Sequence, residues 1–558
     1  MSKLSTSDYL VFLTYFIIVS AYGLWVYKRK RNADATSKDY FLAEGSLTWW
    51  AIGASLIASN ISAEQMIGMS GSGFKMGLAI STYEWMAALS LMIVAVFFIP
   101  IYLKNKIFTM PQFLSQRYNS TVAMIMAIFW LLLYIVVNLT SILYLGALAV
   151  HSISGINFQV CIWSLAIFAI FITLGGMKVI GFTDVIQVFF LILGGLVTTY
   201  IALNLVADHY GQHGILAGLK LLSANANDHF HMILKKDNAS YMDLPGLTVL
   251  IGGMWIVNLN YWGCNQYITQ RALGANLKTA RGGILFAAFL KLLMPVIVVL
   301  PGIAAYLLYK QNVGHFATDM GSGDNFNPDN AYPILLNQLP FGIKGLSFAA
   351  LTAAIVASLA GKANSIATIF TLDIYKKVIR PDAVDKNMVW IGKITVVVAM
   401  ILGVVISKYL GIDKKGGFQY IQEYTGFVSP GIFAMFLLGF FWKRTTSGAA
   451  IFSAIGGFIL SVFFKFLPTF ANLAFLAPTG FSKKTEMGIY EIPFLDRMGF
   501  VFLICVLGMV IISWIQNYRN DSSNGLEIDA SMFKTSRAFT AGALIVVGVI
   551  VALYSIFW

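Results

Sequence analysis

The sequence predicts an all-α polytopic membrane protein of about fourteen transmembrane helices, with a core of two five-helix halves in opposite orientation. Three observations predict it. Of 558 residues, 58% are hydrophobic and only 11% charged, and the mean hydropathy is +0.76, far from a soluble globular composition. Apolar runs long enough to cross a ~30 Å hydrocarbon core as helix recur from one end of the chain to the other. Two of those runs carry polar interruptions, and the interrupted runs lie five spans apart.

The runs cover 8–27, 47–70, 77–103, 122–152, 157–175, 180–207 and 246–270, then 282–309, 344–377, 388–410, 416–441, 447–467, 496–516 and 537–557. The first is read as a signal anchor, because its charges, Lys28, Arg29, Lys30 and Arg31, follow the apolar stretch. With the N-terminus outside, Lys104, Lys106, Arg117, Arg271, Lys278, Arg281, Lys376, Lys377, Arg380, Lys443 and Arg444 face the cytoplasm, as the positive-inside rule asks. Both termini are then extracellular or periplasmic. Lys235, Lys236, Lys414, Lys415, Lys483 and Lys484 fall on the opposite side. The expected location is the plasma membrane, a bacterial inner membrane. The net charge of +13 reads as loop orientation and contact with anionic lipid, with no nucleic acid needed.

The expected divisions are an extra helix with a basic cytoplasmic loop (1–45), a first five-helix repeat (46–207), an extracellular loop (208–245), a second, inverted repeat (246–441) and three C-terminal helices (442–558). Cys161, Cys264 and Cys505 lie within spans, so no disulfide framework or metal cluster is expected. No Walker sequence points to ATP-driven pumping. The expectation is a transporter driven by an ion gradient, not an enzyme, and without a cofactor.

Chemistry concentrates at the breaks. Residues 59–65, Ser-Asn-Ile-Ser-Ala-Glu-Gln, place a polar patch at mid-membrane in the second run, and residues 258–266, Asn-Leu-Asn-Tyr-Trp-Gly-Cys-Asn-Gln, do so in the seventh. Non-helical backbone at that depth persists only where protein or a water-filled cavity supplies its hydrogen bonds. A kink would explain either break alone; the pair at a five-span offset matches inverted halves with a binding site between them.

Ionisable residues inside the spans are Glu64, Glu84, Asp184, Lys291, Lys362, Asp373 and Glu423, each costly to insert. A sugar needs mixed donors and acceptors with an aromatic or apolar face. Gln65, Glu84, Asn258, Lys291 and Gln422 supply the first, and Met69, Tyr83, Tyr261, Trp262 and Phe418 the second. Lys291 lies about a turn before Pro295, too deep for easy snorkelling. A sodium site wants several hard oxygens; the carbonyls of 58–61 and the hydroxyl of Ser358 are candidates.

Along essentially its whole length the chain resembles the solute:sodium symporter family, and within it the bacterial sodium/galactose and sodium/glucose transporters. The resemblance is carried by Ala58-Ser-Asn-Ile-Ser-Ala-Glu-Gln-Met-Ile-Gly-Met-Ser-Gly-Ser-Gly73, Tyr83-Glu-Trp-Met86, Asn138-Leu-Thr-Ser141, Thr183-Asp-Val-Ile-Gln187, Pro301-Gly-Ile-Ala-Ala-Tyr306, Phe370-Thr-Leu-Asp-Ile-Tyr375 and Phe418-Gln-Tyr-Ile-Gln-Glu-Tyr-Thr-Gly426, in order. It implies a leucine-transporter-like inverted-repeat core and alternating access to a midplane monosaccharide site, galactose- or glucose-like. It also implies Gln65, Glu84, Asn258, Lys291 and Gln422 as sugar contacts, Tyr261 as an inner gate bonded near Asn60, and Met69, Tyr83 and Phe418 as an outer gate.

Two departures from the family pattern follow. The serine after Glu-Trp-Met is Ala87, which removes one hydroxyl, worth roughly 1 kcal/mol. The cation site would use the carbonyls of Ala58, Ile61 and Ala354 with two adjacent serines, of which the first is Ala357 and only Ser358 remains. Lys362, four residues beyond Ser358, shares its helix face.

Two readings of Lys362 follow. Either its ammonium substitutes for sodium, reaching the 58–61 carbonyls, Ser358 or Asp184, and transport is sodium-independent or proton-linked, or Lys362 pairs with Asp184 and leaves a weakened sodium site. Other small solutes, inositol or an amino acid, form a further alternative; the polar set suits a neutral polyhydroxylated solute better.

Overall fold

The computed structural model describes residues 4–29, 47–314, 316–321, 326–340, 342–409, 417–485, 487–518 and 525–558. Lys30, Arg31, Lys414 and Lys415 of the charge pattern lie outside the described residues. The chain begins with α1 (Thr6–Arg29), whose Leu10, Leu13, Ile17 and Ile18 face outward while Tyr15 and Val19 are buried. Outward apolar side chains are what a lipid-facing helix requires.

The first broken span follows. α2 (Trp49–Asn60) stops where Ile61 turns extended (φ −80°, ψ 111°); helix resumes through a π-helical segment, Glu64–Met69, into α3 (Ser70–Met76). Next come α4 (Thr82–Ile93), α5 (Ser120–Leu132), α6 (Thr140–Ser154), α7 (Phe158–Thr173) and α8 (Gly176–His209). The second broken span is α9 (Gly253–Gly263) and α10 (Gln266–Leu273), separated at Cys264 and Asn265. It is followed by α11 (Leu277–Lys310), α12 (Ile343–Ile369), α13 (Asp385–Ser407), α14 (Gly417–Gly426) and α15 (Ser429–Phe441). The C-terminal helices are α16 (Ser447–Thr469), α17 (Phe494–Tyr518) and α18 (Arg537–Ile556).

The expected fourteen spans are not reached by length and composition. Among the described residues ten helices are long and apolar enough to cross a membrane, and eleven if α14 and α15, bent by 53°, count as one. The interrupted spans fall short because they are interrupted, and α7 has only 16 residues.

Ala51–Asn60 of α2 and residues 347–369 of α12 are buried without exception, as central helices must be when apolar on every side. α2 packs against α8, α11 and α12, and α12 in turn against α1, α7, α8 and α13. At Gly53 a Cβ would lie 2.6 Å from the Gly283 carbonyl oxygen, so α2 and α11 meet there backbone to backbone.

Three arginines expected among cytoplasmic loop charges are interior. Arg281 donates to the carbonyls of Ala95, Met532 and Lys534, and Arg271 is tied to α2. Arg117 donates to the carbonyls of Gly439 (2.7 Å), Trp442 (2.9 Å), Lys443 (3.3 Å) and Thr445 (3.0 Å). These carbonyls lie at and just beyond the C-terminal end of α15, where a cation also suits the helix dipole. Arg117→Ala is therefore expected to destabilise the protein by about 3 kcal/mol or more, since hydrogen bonds to a charged group are each worth about 1.5–3 kcal/mol. Arg117→Lys should recover only part of that, lacking the planar fork. Thermal unfolding in detergent measures both.

Candidate functional site

The two breaks meet around one cavity. Every polar sugar contact expected from the sequence lines it: Gln65, Glu84, Asn258, Lys291 and Gln422. So do Asn60, Tyr83, Tyr261, Trp262 and Phe418. Met69 does not; it is wholly buried behind the wall. Ala87 lines the cavity, so the missing hydroxyl is missing from the wall itself.

The polar network starts at Lys291. Its ammonium reaches from α11 to the Glu84 carboxylate on α4 and to the Asn60 side-chain carbonyl at the end of α2, 5.2 Å from the Trp262 ring centroid. Both charged side chains are almost fully buried, so the pair lies in a low dielectric where each charge requires the other. The Asn60 amide donates to the Tyr261 hydroxyl at 3.0 Å, and that hydroxyl meets Tyr267. Tyr261 is thus bonded to the break in α2 as the resemblance implies.

Gln65 has a second task. Its side-chain carbonyl accepts from the Ser62 backbone N–H (3.1 Å) and Ser62 hydroxyl (3.3 Å), while Glu64 N–H donates to Ser62 Oγ (3.2 Å). These bonds satisfy donors that the restarting helix leaves free. The amide nitrogen of Gln65 is what remains for a solute. Asn258 donates to the Met254 carbonyl one turn back at 3.1 Å.

One wall is closed by Tyr83 and Phe418, whose rings meet edge to face at 5.0 Å. Phe418 lies directly on Gly68, where a Cβ would come within 2.8 Å of the Phe418 nitrogen. Only glycine permits that approach.

The expected cation position has few oxygens to offer. Ser358 Oγ donates to the Ser59 carbonyl at 3.0 Å, and Ala357 is buried without a side-chain oxygen. Ala58, Ile61 and Ala354 are also buried, leaving their carbonyls as the other expected donors. Among the described residues no cluster of His, Cys, Asp and Glu could hold a metal.

Lys362 does not pair with Asp184. Asp184 accepts from Ser55 Oγ at 2.5 Å, and Ser55 Oγ accepts from Arg271 Nε at 2.9 Å, which gives that carboxylate its own cationic neighbour. The Lys362 ammonium instead lies 3.9 Å from Glu64 Oε1 and 5.0 Å from the Tyr267 ring centroid, and both Lys362 and Glu64 line the cavity. Glu64 is the residue that sequence reasoning left out of the site. The available signal was that a buried ammonium needs a counter-charge, and Glu64 is the carboxylate at the break.

A cavity between two broken helices, walled by buried ion pairs and aromatic side chains, defines the class: a secondary transporter. The model of the sodium:solute symporter family matches residues 40–457, and the chain belongs to that family. It is 46% identical to the sodium/glucose cotransporter of Vibrio parahaemolyticus, over 100% of this chain and 99% of that protein. It is 33% identical to the human sodium/myo-inositol cotransporter 2, covering 82% of this chain and 70% of the relative. Among solved structures, a Na+-coupled sialic acid symporter in a substrate-bound outward-open state superposes with a TM-score of 0.74 at 22% identity, over 92% of this chain and 98% of that one. At that identity the likeness speaks for the fold, and the expected leucine-transporter-like architecture holds.

Glu84→Ala strands the Lys291 charge in the interior and is expected to cost about 3–5 kcal/mol of stability. Glu84→Gln combined with Lys291→Met removes both charges and should recover most of that loss. Unfolding temperatures of the three proteins in one detergent check the difference.

Proposed function

We propose that this chain moves a neutral monosaccharide, galactose- or glucose-like, across the plasma membrane by alternating access, and that Lys362 replaces the mobile sodium ion of its family. The observation that carries the sugar reading is the cavity wall: five polar side chains of mixed donor and acceptor character beside Tyr83, Tyr261, Trp262 and Phe418. Such a wall matches hydroxyls on its polar side and a pyranose face on its aromatic side. The sodium/glucose and sodium/myo-inositol names of relatives 46% and 33% identical point the same way.

The coupling reading rests on Ala357, which supplies no hydroxyl, and on Lys362, a fixed cation one turn from Ser358. A like charge at that distance repels sodium in a medium of low dielectric. Transport then runs as facilitated diffusion or with a proton. A second reading, sodium-coupled symport through a weakened site, is favoured by the Glu64 carboxylate, which offsets part of the Lys362 charge. In either case the basic residues 104, 106, 278, 376, 377, 443 and 444 orient the chain with both termini outside.

Purified protein is expected to be stabilised by galactose or glucose and not by amino acids; saturation at about 100 times Kd corresponds to roughly 2.7 kcal/mol. In proteoliposomes, sugar uptake by the unmodified chain should not respond to a sodium gradient, whereas Lys362→Met with Ala357→Ser should gain that response. Strong sodium stimulation of the unmodified chain would establish the weakened-site reading instead.

A further inference from the structure

We infer that Glu64 and Lys362 together form a hydroxyl-binding subsite of the sugar cavity, a contact that supplements the five polar residues above. The inference rests on the sugar reading and names one more place where the sugar is held. Four observations carry it. Both side chains line the cavity, and both are about nine-tenths buried or more, at 11% and 3% exposure. They come from different elements, the restart after the first break and the middle of α12. The Lys362 nitrogen and Glu64 Oε1 stand 3.9 Å apart, beyond hydrogen-bond reach of each other. Glu64 Oε1, finally, has no hydrogen-bond partner.

A carboxylate oxygen that only accepts and an ammonium that only donates leave a gap with a defined chemical complement. An oxygen about 2.8 Å from each, the usual length of a charge-assisted bond, would bridge the 3.9 Å separation. A hydroxyl meets both demands at once, donating its proton to Glu64 Oε1 and accepting from Lys362 Nζ. The Glu84 and Lys291 pair is already in direct contact and leaves no such gap. Lys362 is held beneath by the Tyr267 ring at 5.0 Å, and Tyr267 meets the gate residue Tyr261, so a hydroxyl seated here lies beside the gate.

The same geometry sets the substrate class. The subsite carries one positive and one negative charge, so it suits a neutral polyol. A sugar carboxylate placed there could accept from Lys362 but has no proton to donate to Glu64 and adds a like charge beside it, so it is held less well than a hydroxyl. The subsite also offers a replacement for the hydroxyl lost at Ala87, so the site exchanges one neutral contact for one flanked by charges.

The test is a binding panel on the full-length protein in detergent, using D-glucose, D-galactose, their single-position deoxy analogues and D-glucuronate, read by thermal shift titration. The unmodified chain should bind one deoxy analogue about 10–100-fold more weakly than its parent through loss of this contact, and should bind glucuronate more weakly than glucose. Glu64→Gln with Lys362→Met, which removes both charges together, should lose most of the penalty at that one position while keeping those at the others. Glu64→Asp, which keeps the charge and widens the gap, should reduce the same penalty selectively. Unfolding temperatures without sugar confirm that each variant is folded. Identical deoxy patterns in folded variants and unmodified chain would show a pair that only holds helices together, and would overturn this inference while leaving the sugar reading intact. If no hexose stabilises the unmodified chain, the sugar reading falls and this inference with it.

Discussion

The structure depends on one constraint: backbone that leaves the helix in the middle of a bilayer must be hydrogen-bonded by the protein itself. At Ile61 and Ser62 the solution is local and distant at once. Gln65 folds back to serve Ser62, while Ser358 on α12 donates to the carbonyl of Ser59. Asn60, the last residue of α2, links Lys291 on α11 to Tyr261 on α9. A single break therefore gathers three other helices around itself, and the cavity is the space left where they converge.

Charge follows the same logic. A lone ammonium or carboxylate in this interior would cost several kcal/mol, so each must be paired or remain at an edge. The cavity wall holds Lys291 with Glu84 and Lys362 with Glu64, and deeper in the bundle Asp184 and Arg271 share Ser55. Formal charge on the cavity wall sums to zero. The two wall pairs still differ in kind. One is closed on itself, and the other is held open at 3.9 Å.

Replacing a mobile ion by a tethered one changes what drives a transporter. An ion that binds and leaves draws energy from its gradient; a lysine that stays cannot, unless it exchanges a proton. The proposed exchange of sodium for Lys362 thus turns a coupled machine toward an equilibrating or proton-linked one while leaving the sugar path in place. It also places a fixed charge on the cavity wall. Glu64 accommodates that charge.

Much of this architecture was legible in the chain. The apolar runs, the polar breaks near residues 60 and 264 and the depth of Lys291 follow from hydropathy and from the cost of burying polar groups, which are local properties. The polar wall of the cavity was legible for the same reason, since buried polar side chains within the spans gather around the breaks. What the chain could not reveal was pairing across helices. Asp184 was the carboxylate expected to face Lys362 and Glu64 is the one that does, although 178 residues of sequence separate Lys362 from the first and 298 from the second. Sequence distance carries no information about which helix faces which. Rotation and packing of α2, α8 and α12 decide that Asp184 meets Ser55 and that Lys362 meets Glu64. Arg117 and Arg271 teach the same lesson: positive charge near a span end reads as a loop signal, yet tertiary packing draws both guanidiniums inward to main-chain carbonyls. Sequence determined where helices must lie and break, because those rules act along the chain; only the tertiary structure decided which charges neutralise one another, because Coulomb pairing acts through space.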